Sequence, residues 1–305
     1  MKIIFNLFII LCFSFSVFAY DPEDLKKLKL TNECLKCDFS HADLRNTNLK
    51  NSVLESANFK GAILTNTIFR SAYLNKADFS YANLKGVNFD LAMLEGAKLA
   101  FTKLNKSKFR LANMKWSNLT GIQLRGANLK GARLDGAKLI GADLSEAILV
   151  KADLKGANLK GANLMRANLF EAHLHGANLE RANLSFADLT KAELNNANLS
   201  YANLNGAKMT ASVLYKANLT GANLKGVFLV NSDLREANLK STDMSGANLR
   251  DSDLTGAYFE KTNLTETNFK NAEFSLNEMK DSIFFKTIMH DGKIINNIVE
   301  QNEFN

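Results

Sequence analysis

Asp153, His173 and Glu193 stand at intervals of twenty residues, and a histidine between two carboxylates is a set that can move a proton or help hold a metal ion. That spacing would stack the side chains about 5 Å apart on neighbouring strands, within reach of one another. His175 lies nearby. What the set lacks is shelter, because a flat exposed wall offers neither the cleft nor the exclusion of water that catalysis uses. Cys34 and Cys37 are the second candidate. They either pack as small apolar residues or form a Cys-x-x-Cys disulfide in an oxidising compartment. A zinc site needs two further ligands that are not evident, and haem attachment needs histidine where Asp38 stands.

The elements that must position these residues follow from one period. From Phe39 to Met289 every fifth residue is Leu, Phe or Met, about 51 positions without a break, and the residue two before each is usually Ala. Five fits neither the helical period of 3.6 nor the strand period of 2, so the chain is a stacked repeat. The large residue and the small one two before it point the same way along an extended segment, inward. Sixteen of the 17 glycines lie two places after the large residue, a turn position that favours positive φ. With a corner after each short segment, the simplest closed coil has four sides and about 20 residues, giving about 13 coils and a rod about 60 Å long. The single proline, Pro22, precedes the repeat, as expected where ladder N–H groups are needed.

The pattern A-[DN]-L-x-x, seen in Ala152-Asp153-Leu154, Ala157-Asn158-Leu159 and Ala162-Asn163-Leu164, resembles the pentapeptide-repeat family. The resemblance implies an all-β, right-handed quadrilateral parallel β-helix, with Leu and Phe stacked inside. Cys34-Leu35-Lys36-Cys37-Asp38-Phe39 also resembles the lead-in of secreted members. Asp21-Pro22-Glu23-Asp24, followed by Leu25, Leu28 and Leu30, predicts a short capped helix that closes the first coil. After Met289 the phase is lost, and Ile294, Ile295, Ile298, Val299 and Phe304 read as a plug or, alternatively, a homodimer contact through the C-terminal end.

Met1–Ala19 has one lysine, an apolar run and Val17-Phe18-Ala19 before Tyr20, the pattern of a cleaved secretory signal. About 16 apolar residues fall short of a bilayer span, so no stable membrane insertion is expected. The chain therefore reads as exported, periplasmic or extracellular, with a signal segment 1–19, a cap 20–36, the repeat 37–289 and a tail 290–305. The net charge of +7 suits a polyanionic surface.

Outward residues twenty apart share a side. The side through Leu49, Phe69 and Leu129 carries ten Lys or Arg against five acids, while that through Leu54, Leu134 and Leu154 has nine acids against six bases. Lys108, Arg110, Lys130 and Lys151 on the first side are the expected partner-binding face, unless they are ordinary solvated positions. Ile148, Val150, Phe170, Phe228 and Val230 are the expected apolar contact patch, against the reading that single exposed apolar residues are commonplace. No nucleophile elbow, phosphate loop or metal-ligand cluster is evident, and no cofactor is expected. The function read from this is a non-enzymatic exported scaffold for a protein or an anionic envelope polymer. The alternatives are a DNA mimic, which basic charge and export disfavour along with any nucleic-acid partner, and an enzyme or metal site around His173.

Overall fold

One repeat, Ala152–Gly156, shows where the backbone hydrogen bonds go. Ala152 N–H donates to the Leu149 carbonyl at 2.9 Å and closes a turn. Asp153 N–H donates to Ala132 of the preceding coil at 2.9 Å, whereas Leu154 and Gly156 donate to His173 and His175 of the next, at 2.7 and 2.9 Å. That leaves Lys155, whose N–H donates to the Asp153 carboxylate at 3.2 Å. All five donors are satisfied, which is the physical reason for Asn or Asp in the middle of the triplet: its side chain closes the one backbone group the ladder misses.

The computed structural model describes residues 20–275, 279 and 281–296; the expected signal segment and Ile298, Val299 and Phe304 lie outside them. Parallel bridges join residues twenty apart, from Glu33–Val53 to Asn268–Ile288, so the coil has four five-residue sides. The large and small inward residues are buried along its length, forming one continuous core. Phe39, Phe59 and Phe79 stack in one column at 5.2 and 4.9 Å between ring centroids, and Phe69, Phe89 and Phe109 in another at 5.2 and 5.1 Å. Where a buried Ser or Thr replaces the small Ala, its hydroxyl donates to an interior carbonyl, as Ser52 does to Leu49 at 2.7 Å and Thr67 to Leu44 at 2.8 Å, so no buried hydroxyl is left unpaired there.

Among the described residues from 41 to 286, the second residue after each large one has positive φ whether it is glycine or not: Gly156 has φ 61°, Lys151 57°, Leu111 56°. The ladder on both sides holds a conformation that side chains otherwise avoid. Glycine there has a second use, because a ring in this slot lies across the equivalent residue one coil on. A Cβ at Gly206 would stand 2.7 Å from the Phe186 ring, and one at Gly221 2.7 Å from Tyr201. His41, Phe101, Trp116, Phe186 and Tyr201 all precede such a glycine; Tyr81 is followed instead by Phe101.

At that place the ladder opens. The N–H groups of Tyr81, Leu84, Gly86, Lys103 and Lys108 make no backbone bond to the adjoining coil, and Asn83 and Lys103 are not bridged. Tyr81 is 80% exposed and Phe101 72%; without a glycine beneath it, the Tyr81 ring sits by the Lys60 ammonium of the previous coil, 5.9 Å away.

Both ends are closed. Helix α1 (Pro22–Thr31) begins at the N-cap Asp21, whose side chain accepts from Glu23 N–H at 2.9 Å, and ends at left-handed Asn32. Leu28 is buried and Leu25 packs on the core, but Leu30, expected to join them, is exposed: the rod end receives only one face of α1. At the other end β1 (Thr287–Ile288) pairs antiparallel with β2 (Ile294–Ile295) through a turn with Gly292 at φ 84°. Ile295 packs on the core, so the chain folds back over its own last coil. Among the described residues no helix is long and apolar enough to cross a membrane.

Candidate functional site

At the N-terminal end the Cys34 and Cys37 sulfurs are bonded to each other, and both residues are buried. Beside them, Asp24 of α1 accepts the Asp38 N–H at 2.7 Å and Asp21 N–H donates to the Asp38 carbonyl at 3.1 Å. The helix thereby covers an open ladder edge. Asp24, Cys34 and Cys37 are the one group among the described residues whose donor atoms gather within 4.8 Å, but sulfurs bonded to each other supply no thiolate for a metal. Thiol titration of the denatured protein should rise by two after reduction; an unchanged count would show that the cysteines are free.

The histidine column comes together only in part. His173 Nδ1 lies 2.8 Å from Glu193 Oε2, while Asp153 is turned to the Lys155 N–H. The side chains of His173 and Glu193 are well exposed, and the three donors do not converge on one point. The pair is therefore one of many links along the rod. Lys160 and Glu180, Lys216 and Glu236, and Lys240 and Glu260 are ion pairs of the same twenty-residue register. Amides stack likewise, Asn183 donating to Asn163 at 3.2 Å and Asn223 to Asn203 at 3.2 Å. In the column of asparagines from Asn158 to Asn238 the same bonds join Asn178, Asn198 and Asn218.

On the basic side the four expected cations separate. Arg110 is tied to Asp90, which is 3% exposed: its backbone N–H donates to Oδ1 at 2.8 Å, and its Nε and Nη2 donate to Oδ2 at 3.0 and 2.6 Å. The carboxylate raises the Arg110 pKa further through those hydrogen bonds. Lys151 pairs with Glu171 at 3.1 Å. Arg110 and Lys130 line a shallow cavity of about 360 Å³ together with Arg70, Asp90, Leu91 and Leu111, whereas Lys108 and Lys151 lie outside it. Sequence reasoning counted Arg70 only as one charge among ten and passed over the leucines. The available signal was leucine in a corner slot: among the described residues with positive φ, only 91 and 111 are leucine.

The apolar patch divides in two. Ile148, Val150 and Phe170 form one island, and Phe228 and Val230 another, with Asp188, Thr190, Lys208 and Thr210 in the intervening positions of the same register. Ile148 and Phe228 are exposed and the other three half-buried, and the Lys191 ammonium stands 5.9 Å over the Phe170 ring.

The pentapeptide-repeat family model matches the chain in eight copies, from residue 34 to residue 291. No curated protein matches it. Among solved structures it is similar to HetL, a pentapeptide-repeat protein involved in heterocyst differentiation regulation in the cyanobacterium Nostoc sp. strain PCC 7120, at 28% identity and TM-score 0.44, over 90% of this chain and 98% of that one. A pentapeptide-repeat protein of the Arabidopsis thaliana thylakoid lumen is 39% identical over 34% of this chain and 68% of its own, with TM-score 0.25. QnrB1, a plasmid-mediated fluoroquinolone resistance protein, is 22% identical over 61% and 92%, with TM-score 0.28. With its five-residue period, its twenty-residue coil and a family match along nearly the whole rod, the chain belongs to the pentapeptide-repeat family.

Proposed function

We propose that this protein is an exported, non-enzymatic scaffold whose rigid wall binds a protein or an anionic polymer of the cell envelope through its basic side. The observation that carries this reading is the line of cations Arg70, Lys108 and Lys130, none of which has a carboxylate partner among the described residues, beside Arg110. Elsewhere along the rod many cations are paired with a carboxylate one coil away, for example Lys98 with Asp78 and Lys240 with Glu260. Unpaired cations gathered on one side of the rod suit an anionic partner, which they attract over a distance set by salt. The half-exposed His173–Glu193 pair supports no enzymatic reading.

The test is a pull-down from envelope and secreted fractions with the mature chain, comparing wild type with a variant in which Lys108, Arg110, Lys130 and Lys151 are neutralised. A partner held by wild type and lost in the variant is the expected result. A partner retained by the variant would move the interaction to another face.

A further inference from the structure

The cavity at the corner of Arg70, Asp90 and Arg110 has features that a merely basic wall does not need. A carboxylate as buried as Asp90 is costly unless it is paired and hydrogen-bonded, and here both oxygens are used by Arg110, which reaches back one coil to meet them. That bonding fixes one edge of the guanidinium and leaves Nη1 without a partner among the described residues, so the group that lines the cavity is ordered before any ligand arrives. Arg70 and Lys130 stand on the coils beyond it, and with Asp90 subtracted the lining keeps a charge of about +2. The remaining wall is Leu91 and Leu111, 41% and 60% exposed. Leu111 lies across Gly131, where a Cβ would stand 2.7 Å from its Cδ2.

We propose that this corner binds a small amphipathic anion, a phosphate or carboxylate carried on a short apolar chain, with the anionic group on Arg110, Arg70 and Lys130 and the chain along Leu91 and Leu111. Ordered donors, unneutralised positive charge and an apolar wall within about 360 Å³ are the composition of a small-ligand site. The inference rests on the reading of the basic side as a binding surface, and it assigns to one place on that side a ligand much smaller than a polymer.

The probe is octyl phosphate, titrated calorimetrically into the mature chain below its micellar concentration, with inorganic phosphate and octanol as controls. Saturable binding of one octyl phosphate is expected, with inorganic phosphate weaker by about tenfold or more because the leucines contribute only when a chain is present. Octanol should not bind. The variant Arg70→Gln/Lys130→Gln, which leaves the Arg110–Asp90 pair intact, should lose most of the affinity, and Leu111→Ala should bring octyl phosphate close to inorganic phosphate. Lys108→Gln/Lys151→Gln should bind like wild type. Flotation with phosphatidylglycerol vesicles, lost in Arg70→Gln/Lys130→Gln, would identify the anion as a lipid headgroup; octyl phosphate binding without flotation would identify a soluble ester. Absence of saturable binding, or equal binding of inorganic phosphate and octyl phosphate, overturns the proposal, as does affinity unchanged in Arg70→Gln/Lys130→Gln. If octyl phosphate fails while the pull-down partner is still lost on neutralising the basic side, only the small-ligand site falls.

Discussion

Leu154→Lys should lower stability by about 4 kcal/mol or more, whereas Lys155→Ala, one residue along, should stay within about 0.5 kcal/mol of wild type. Leu154 is fully buried in the column of large residues. A lysine there brings an ammonium into a core of packed leucine and alanine side chains, and it removes the leucine that the coils above and below pack against. Lys155 points outward, and the hydrogen bond that holds its turn is made by its backbone N–H to Asp153, which alanine retains. In a solenoid each coil depends on its neighbours, so the damage should spread to the adjacent coils and then fade. Denaturant midpoints of the two variants test this. Equal midpoints would mean that the inward and outward slots have been misassigned.

The inward slots were legible because burial imposes one residue type on them at a fixed interval, and glycine marked the corner because positive φ favours it. Other features depend on what lies one coil away, which a five-residue pattern does not display. The bond of Asp153 to Lys155 N–H explains the Asn or Asp of the consensus, yet it arises from backbone accounting and not from the period. Arg110 was counted as a free cation because its partner Asp90 stands twenty residues earlier, and only the fold makes them neighbours. Leu30 looked like a third cap residue, but α1 turns that position to solvent. The apolar patch looked continuous as a list of residues, although register separates Phe170 from Phe228 by polar coils. Twenty-residue bookkeeping of the corner slots would have recovered more: it pairs His41, Phe101, Trp116, Phe186 and Tyr201 each with a glycine and leaves Tyr81 without one.

That exception leads to the other large effect. Amide exchange resolved by residue should show Leu84, Gly86 and Lys103 exchanging about a hundredfold faster than Leu104, Lys106 and Gln123. The latter are their equivalents one coil on, with inter-coil bonds of 2.7, 2.9 and 2.9 Å. Burial does not separate the two sets, since Leu84 and Leu104 are both buried. What separates them is the missing ladder between the coils of Tyr81 and Phe101. If the side chain at 101 is what props the coils apart, Phe101→Gly should close the seam, because glycine accepts the left-handed φ of 58° seen there and gives Tyr81 the surface that other rings in this slot already have. Phe101 is largely exposed, so removing it forfeits little burial, and the gain of several ladder bonds should raise the melting temperature. The variant should restore protection at Leu84, Gly86 and Lys103 while leaving Leu154 and its neighbours unchanged. Uniform protection in wild type would show that the ladder is continuous; fast exchange that persists in Phe101→Gly would place the cause of the seam elsewhere than in the Tyr81–Phe101 succession.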